Sequence, residues 1–327
     1  MVSKIKKISW RNFIKSAYIY GILILFIVIF TLVSKDFKFI QGPSLTNIIR
    51  TGAPTILVGV AVTMLMISGH VDLSVGSMLG FTGVVFALLA QAGVHIALAT
   101  VIVIIIGAAI GAVNGVLVLK LKIIPVIATL ATMSGLLGAA KLLCGDTIPY
   151  VKGGLPDNFS FLGRGMIFGK AIPFQLVLII IVVAIFILLQ KKSVFGKYSM
   201  AIGGNKMAAM LSGINVNKMV WLLYIMVGAV TGLAGSVMAS KLGVADATAG
   251  AGFELDVIIA VLLGGTSFFG GEGSVAGTVA GALILTILGI GMNIIGVPPF
   301  YQYVVKGVVM ILAIVLDRFV KERVSEK

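Results

Sequence analysis

Charge is what this chain has least of: only 11% of its 327 residues are Asp, Glu, Lys or Arg. Water-soluble domains carry about a quarter, so most of this chain is not built to face water. A single cysteine, Cys144, excludes an internal disulfide framework and a cysteine-built zinc site. Two histidines, His70 and His95, are too few for a histidine metal centre unless carboxylates complete it. No Gly-x-x-x-x-Gly-Lys-Ser/Thr occurs; Gly165 to Gly169-Lys170-Ala171 has the wrong spacing and no hydroxyl after the lysine. His-Glu-x-x-His and a nucleophile elbow are also missing. These gaps argue against an enzyme and against a bound cofactor or metal. Energy for any active transport has to come from a partner or an ion gradient.

What is present is hydrophobicity, 59% of the chain. A bilayer-crossing helix needs roughly 20 mostly apolar residues. That ruler finds about ten candidates, near 16–33, 48–68, 73–92, 95–119, 123–144, 172–190, 218–240, 254–270, 274–296 and 299–317. The second, third and eighth are interrupted or short. The expected fold is therefore an all-α polytopic membrane protein. It divides into a basic N-terminal segment, 1–15, a membrane domain, 16–317, and a tail, 318–327.

The formal charge of +14 does not signal nucleic acid, because the charges lie mainly between apolar runs, where they orient a membrane protein. Lys4, Lys6, Lys7, Arg11 and Lys15 precede the first span with no acid among them. Ten crossings from a cytoplasmic N-terminus also put Lys120, Lys122, Lys191, Lys192, Lys197, Lys206 and Lys218 inside, with Arg318, Lys321, Arg323 and Lys327 in the tail. Lys35, Lys38, Arg50, Lys141, Lys152, Arg164, Lys170 and Lys241 fall outside. The positive-inside rule favours this parity, with both termini cytoplasmic. The rival reading of the N-terminus is a cleaved signal peptide, but no small-x-small site follows Val33.

Gly107, Gly111 and Gly115 echo Gly273, Gly277 and Gly281, and Pro125 and Pro298-Pro299 follow the respective runs. Spacing of four sets glycines along one helix face for close packing. The triples lie five spans apart, an odd number, which suggests inverted repeats of spans 2–5 and 7–10 with solute passing near their interface. Glycine packing motifs in any helical bundle give the plainer alternative.

Three segments carry polar groups into this apolar chain. Ser68-Gly69-His70-Val71-Asp72-Leu73-Ser74-Val75-Gly76-Ser77 joins two spans with almost no loop. An ionisable group there costs about 2.5–3.5 kcal/mol on insertion scales and so faces a cavity or a partner. Asp72, with Ser74 and Ser77, lines a solute path or caps the helix beginning at Leu73. Glu254 and Asp256 open the eighth span, and Thr266 and Ser267 follow the Gly264-Gly265 pair that breaks it; solute contact and helix starting are both open. Asn114 and Asn293 within spans suit a pore wall or interhelical hydrogen bonds. Finally, the loop 190–218 holds five lysines and no acid. Within it Gly203-Gly204-Asn205 can open a short helix through Ala208, Ala209 and Leu211 to Ser212, Gly213 and Ile214, with Asn205 as N-cap. Its apolar face of Met207, Met210, Leu211 and Ile214 suits the membrane surface or a groove on a soluble partner.

The Ser68–Ser77 segment resembles the Gly-x-Asp-Leu-Ser-Val-Gly-Ser signature of the ribose/xylose/galactose-type ABC transporter permeases. Gly203–Ile214, Glu254-Leu255-Asp256 with Gly264-Gly265-Thr266-Ser267, and the run Gly270 to Gly281 are similar as well. So is Gly296-Val297-Pro298 with Tyr301-Gln302 and Lys306. His70 departs from the family, which commonly has a small residue there. The resemblance implies the membrane subunit of a sugar importer, working with an ABC ATPase, an extracytoplasmic sugar-binding protein and a second permease copy or homologue. It also implies that Gly203–Ile214 couples to the ATPase. Solutes of the family are pentoses, hexoses and autoinducer-2. The alternative is an ion-coupled secondary transporter using Asp72, Glu254 and Asp256 as its ion sites.

Overall fold

Hydrocarbon offers no hydrogen bonds, so a spanning segment has to satisfy its backbone internally, as a helix does. The apolar stretches of this chain fold accordingly. The computed structural model describes residues 19–144, 154–169 and 172–325. The basic residues Lys4 to Lys15, with Lys152, Lys170 and Lys327, lie outside that range.

The helices are α1 (Ile19–Val33), α2 (Gly42–Ile67), α3 (Val75–Gln91), α4 (Ile96–Leu119) and α5 (Pro125–Cys144). After a short α6 (Phe161–Arg164) come α7 (Phe174–Lys192), α8 (Val194–Gly204), α9 (Lys206–Leu211) and α10 (Val216–Leu242). The last three are α11 (Phe253–Leu263), α12 (Val275–Ile294) and α13 (Pro299–Ser325). A two-residue antiparallel pair, Met166–Ile167 with Ile172–Pro173, is the strand content of the described residues. Among the described residues six helices, α2, α4, α5, α7, α10 and α12, are long and apolar enough to cross a bilayer. The chain is a multi-pass, all-α membrane protein.

One expected span is much shorter than read. The sequence ruler ran it from 254 to 270, but α11 stops at Leu263. Gly265 adopts φ 81°, which lets its N–H donate to the Leu262 carbonyl and the Thr266 N–H to that of Val261. This paired glycine cap closes a helix, and at about 1.5 Å per residue α11 cannot cross alone. Gly69, at φ 78°, ends α2 by the same bonds, its N–H donating to Met66 and that of His70 to Leu65.

Two long helices organise the packing. α10 lies against α2, α3 and α4, and α2 against α7, α11 and α12. Between α4 and α10 the backbones almost touch: a Cβ on Gly107 would sit 2.2 Å from the Gly228 carbonyl oxygen, and one on Gly111 equally close to that of Tyr224. The second glycine triple behaves differently. Gly277 and Gly281 pack on Gly264 and Ala260 of the neighbouring α11, while Gly273 precedes α12 and meets Ile67 and Thr266 side chains. The two triples therefore do not do equivalent jobs. Of the six bilayer-length helices, α5 is the least covered: Ala128, Thr129 and Ala140 are its buried residues, and nothing lies within 4 Å of a Cβ placed on Gly135 or Gly138.

Candidate functional site: two interrupted helices

The first interruption runs from Ser68 to Ser74, between α2 and α3. Asp72 is 1% exposed, and its Oδ1 accepts from the Ser74 amide at 2.8 Å and from the Ser74 hydroxyl at 2.6 Å. An aspartate bonding two residues on makes a turn that competes with helix, which is why α2 cannot run on into α3. The other carboxylate oxygen takes a bond from Asn114 Nδ2 at 3.1 Å; that nitrogen is also 2.9 Å from Ser74 Oγ. Thr132 of α5 donates to Asn114 Oδ1 at 2.7 Å, and Tyr224 of α10 donates to the Val71 carbonyl at 3.0 Å. Four helices thus converge on a buried carboxylate whose partners are all neutral. His70 stacks edge-on to Tyr224, with Nδ1 3.0 Å from the Ser68 carbonyl. Burial holds its imidazole below the ordinary value of 6.5; the Ser68 bond opposes that, and the Lys206 ammonium adds to it.

The second interruption, Gly243–Gly252, separates α10 from α11 and has the same plan. Gly243 stands at φ 75°, as Gly69 stands at 78°. Asp246 Oδ1 accepts from both the amide and the hydroxyl of Thr248, each at 2.7 Å. Gly69, Asp72, Ser74 and Gly76 therefore recur as Gly243, Asp246, Thr248 and Gly250, all at one offset. At that same offset Pro125, which opens α5, recurs as Pro299, which opens α13.

The two interruptions meet. A Cβ on Gly76 would lie 2.5 Å from the Gly250 carbonyl oxygen, and one on Gly250 1.9 Å from that of Gly76. The first turn of α3 thus rests on the residues leading into α11, and also on Glu254, whose Oε2 would be 2.1 Å from the Gly76 Cβ. Glu254 is 8% exposed, and Oε2 has no hydrogen-bond partner among the described residues. Anionic groups near a helix start are favoured by its dipole, and Glu254 stands at two such starts.

A third break, Gly264–Ser274, lies beside the first. The Gly271 amide donates to the Ile67 carbonyl at 2.8 Å. A Cβ on Gly270 would be 2.8 Å from the Gly69 nitrogen and 3.1 Å from the Gly203 Cα. Gln190 at the end of α7 spans the exit of this break, donating to the Gly273 carbonyl at 2.9 Å and accepting from the Val275 amide at 3.0 Å. Thr266 Oγ1 accepts from Ser274, and Ser267 Oγ from Phe269, so both hydroxyls shape the break. From Gly203 the chain passes to Asn205, whose Oδ1 accepts from Ala208 N at 3.0 Å and starts α9. Ala209 is buried, while Met207, Met210 and Leu211 are exposed.

The remaining candidates lie apart. Asn293 accepts from Gln302 at 2.7 Å, and Asp256 pairs with Lys306 at 2.8 Å. Ser77 is buried in the first turn of α3. Far from α9, Arg164 donates to the Lys241 and Leu242 carbonyls at 2.6 and 3.0 Å, Arg50 donates to the Arg164 carbonyl, and Lys241 Nζ reaches Thr51 Oγ1 at 3.0 Å. Tyr224, Thr132, Asp246 and Thr248 were not singled out from sequence. The constant offset relating the two Asp-x-Ser/Thr turns is the signal that finds the last two.

A multi-pass membrane protein whose broken helices meet in the bundle interior is a transporter-like architecture. A family model described as branched-chain amino acid transport system / permease component matches residues 44–314. The ribose import permease protein RbsC of Bacillus subtilis is 39% identical over 294 residues, 90% of each chain. The galactose/methyl galactoside import permease protein MglC of Escherichia coli is 33% identical over 330 residues, 97% of this chain and 98% of that one. The L-arabinose ABC transporter permease protein AraH of Azospirillum brasilense is 35% identical over 308 residues, 91% of this chain and 87% of that one. No solved structure matches the chain. The chain belongs to the ribose/galactose/arabinose-type ABC transporter permease family.

Proposed function

We propose that this chain is the membrane permease subunit of an ABC importer for a sugar or sugar-like solute, and is not itself a catalyst. One observation carries the reading beyond family membership. The exposed apolar trio of α9 is joined through Gly203 and Gly270 to Gly69, at the end of a broken helix. A groove on an ATPase that grips Met207, Met210 and Leu211 would act directly on that junction. The 33–39% identity to permeases named for ribose and galactose supports a pentose- or hexose-like solute.

In this reading the chain crosses ten times, with 1–15, the loop 190–218 and 318–327 in the cytosol. The shared offset of the Asp-x-Ser/Thr turns, and the meeting of Gly76 with Gly250, support inverted repeats of spans 2–5 and 7–10. The bare flank of α5 suits a second permease copy, with solute passing between the two. Arg50, Arg164 and Lys241 would lie at the outer surface, where an acidic face of the extracytoplasmic binding protein could seat. Asp72 and Asn114 act in this scheme as locks on the helix break rather than as a tight solute site, since solute has to leave again.

Uptake by the reconstituted complex is the test. Vanadate should stop it and an uncoupler should not, and deleting Asn205–Gly213 should release the ATPase while the permease still inserts. Uptake that collapses with the ion gradient, or an ATPase that still co-purifies with the deletion, would refute the reading.

A further inference from the structure

α13 is held differently from every other long helix. Between Pro299 and Val315 none of its described side chains is buried, and Phe300, Tyr301, Tyr303, Val304, Val308, Ile311 and Leu312 are exposed. Val305 and Val309 are its partly buried contacts with the apolar core, and polar ties among the described side chains add to them. Two are present, one turn apart on one face: Gln302 donates to Asn293 of α12 at 2.7 Å, and Lys306 Nζ lies 2.8 Å from Asp256 Oδ2 in the first turn of α11. The ion pair is about a third exposed, 28% and 31% by side chain, so it is not sealed in a core that would fix it regardless.

α11 is short, and both its ends are committed. Its far end runs into the Gly264–Ser274 break, which bonds to Ile67 and abuts Gly203 and Gly204 just ahead of α9. Its near end carries Asp256. An unbroken line of contact therefore runs from the end of α8, just ahead of α9, to α13: Gly203 to Gly270 and Gly271, along α11, then across Asp256–Lys306.

We propose that Asp256 and Lys306 are a positioning pair that makes α13 follow α11, converting movement at α9 into movement of a thinly packed helix. The proposal rests on the importer reading above. It assigns the pair to coupling between ATP hydrolysis and transport, not to folding and not to solute recognition.

The test compares hydrolysis with uptake in the assembled complex in liposomes. Asp256→Asn and Lys306→Gln should each keep near wild-type ATPase activity while sugar moved per ATP falls about tenfold, the size of effect that coupling residues show. Lys306→Arg keeps the pair and should keep coupling. The exchange Asp256→Lys with Lys306→Asp should restore most of it, short of wild type because a cation is disfavoured at the α11 start. Unchanged sugar per ATP in the single variants would overturn the proposal, as would an exchange that restores nothing. Single variants that fail to assemble would assign the pair to folding and overturn it equally. If the wild-type complex itself showed no ATP-driven uptake, the importer reading would fail first, and that outcome appears before any variant is made.

Discussion

Gly203 and Gly204 are adjacent in α8, yet alanine should have opposite effects at the two. A Cβ on Gly203 would lie 1.9 Å from the Ile67 carbonyl oxygen and 2.4 Å from the Gly271 nitrogen. Those atoms are bonded to each other at 2.8 Å, so the obstacle is backbone and no flexible side chain can yield. Overpacking of this kind costs about 1–3 kcal/mol. Losing the bond adds about 0.5–1.5 kcal/mol. Alanine's helix preference returns at most about 1 kcal/mol, so the clash wins and Gly203→Ala should destabilise by about 0.5–3.5 kcal/mol. Around Gly204 nothing lies within 4 Å of the added carbon, leaving only the helix term, a gain of up to about 1 kcal/mol. Reversible unfolding in mixed micelles, followed by the intrinsic fluorescence of the two tryptophans, Trp10 and Trp221, measures both. Equal stability of the two variants would refute the close junction between α8 and the Gly264–Ser274 break.

Three further outcomes follow from the first break. Asn114→Leu strips Asp72 Oδ2 of its donor in a buried place and should cost about 1–3 kcal/mol; a neutral result in the same micelle assay would remove Asn114 from the lock. Tyr224→Phe deletes the bond to the Val71 carbonyl and should cost about 1–3 kcal/mol, with faster hydrogen exchange at 68–74 by mass spectrometry as the local readout. His70, held below its ordinary 6.5 by burial, binds its proton less readily in the folded protein, so the unfolded chain carries the extra proton between the folded value and 6.5. Its contribution to stability is then complete above about pH 6.5 and is lost as the pH falls; a His70→Asn variant with the same acid-side slope as wild type would disprove that.

Hydropathy made most helices legible, because length and apolarity are what the bilayer demands. It ran the eighth span on to 270, although the Gly264-Gly265 pair already marks the break at which Gly265 takes a positive φ and α11 ends. The polar run Ser68–Ser74 announced the first break. The second, Gly243–Gly252, is harder to see, because Ala245, Ala247 and Ala249 surround its Asp246 and Thr248 with small residues. The glycine triples were compared about two turns out of step: at the offset shared by Asp72 and Asp246, Gly107 matches Gly281 and Gly115 matches Gly289. Partners such as Tyr224, far along the chain from Val71, could not be read from sequence at all, since only packing of α10 on the first break brings them together.

Where Gly76 and Gly250 touch, each main chain fills the place in which the other would carry its smallest side chain. No bore can run along such a seam, and nothing larger than a hydrogen can be grafted onto it without pushing the halves apart. On the proposed function, the passage for solute therefore lies away from that seam. Selection of solute by this chain would then fall to residues elsewhere, with the glycine crossing left bare.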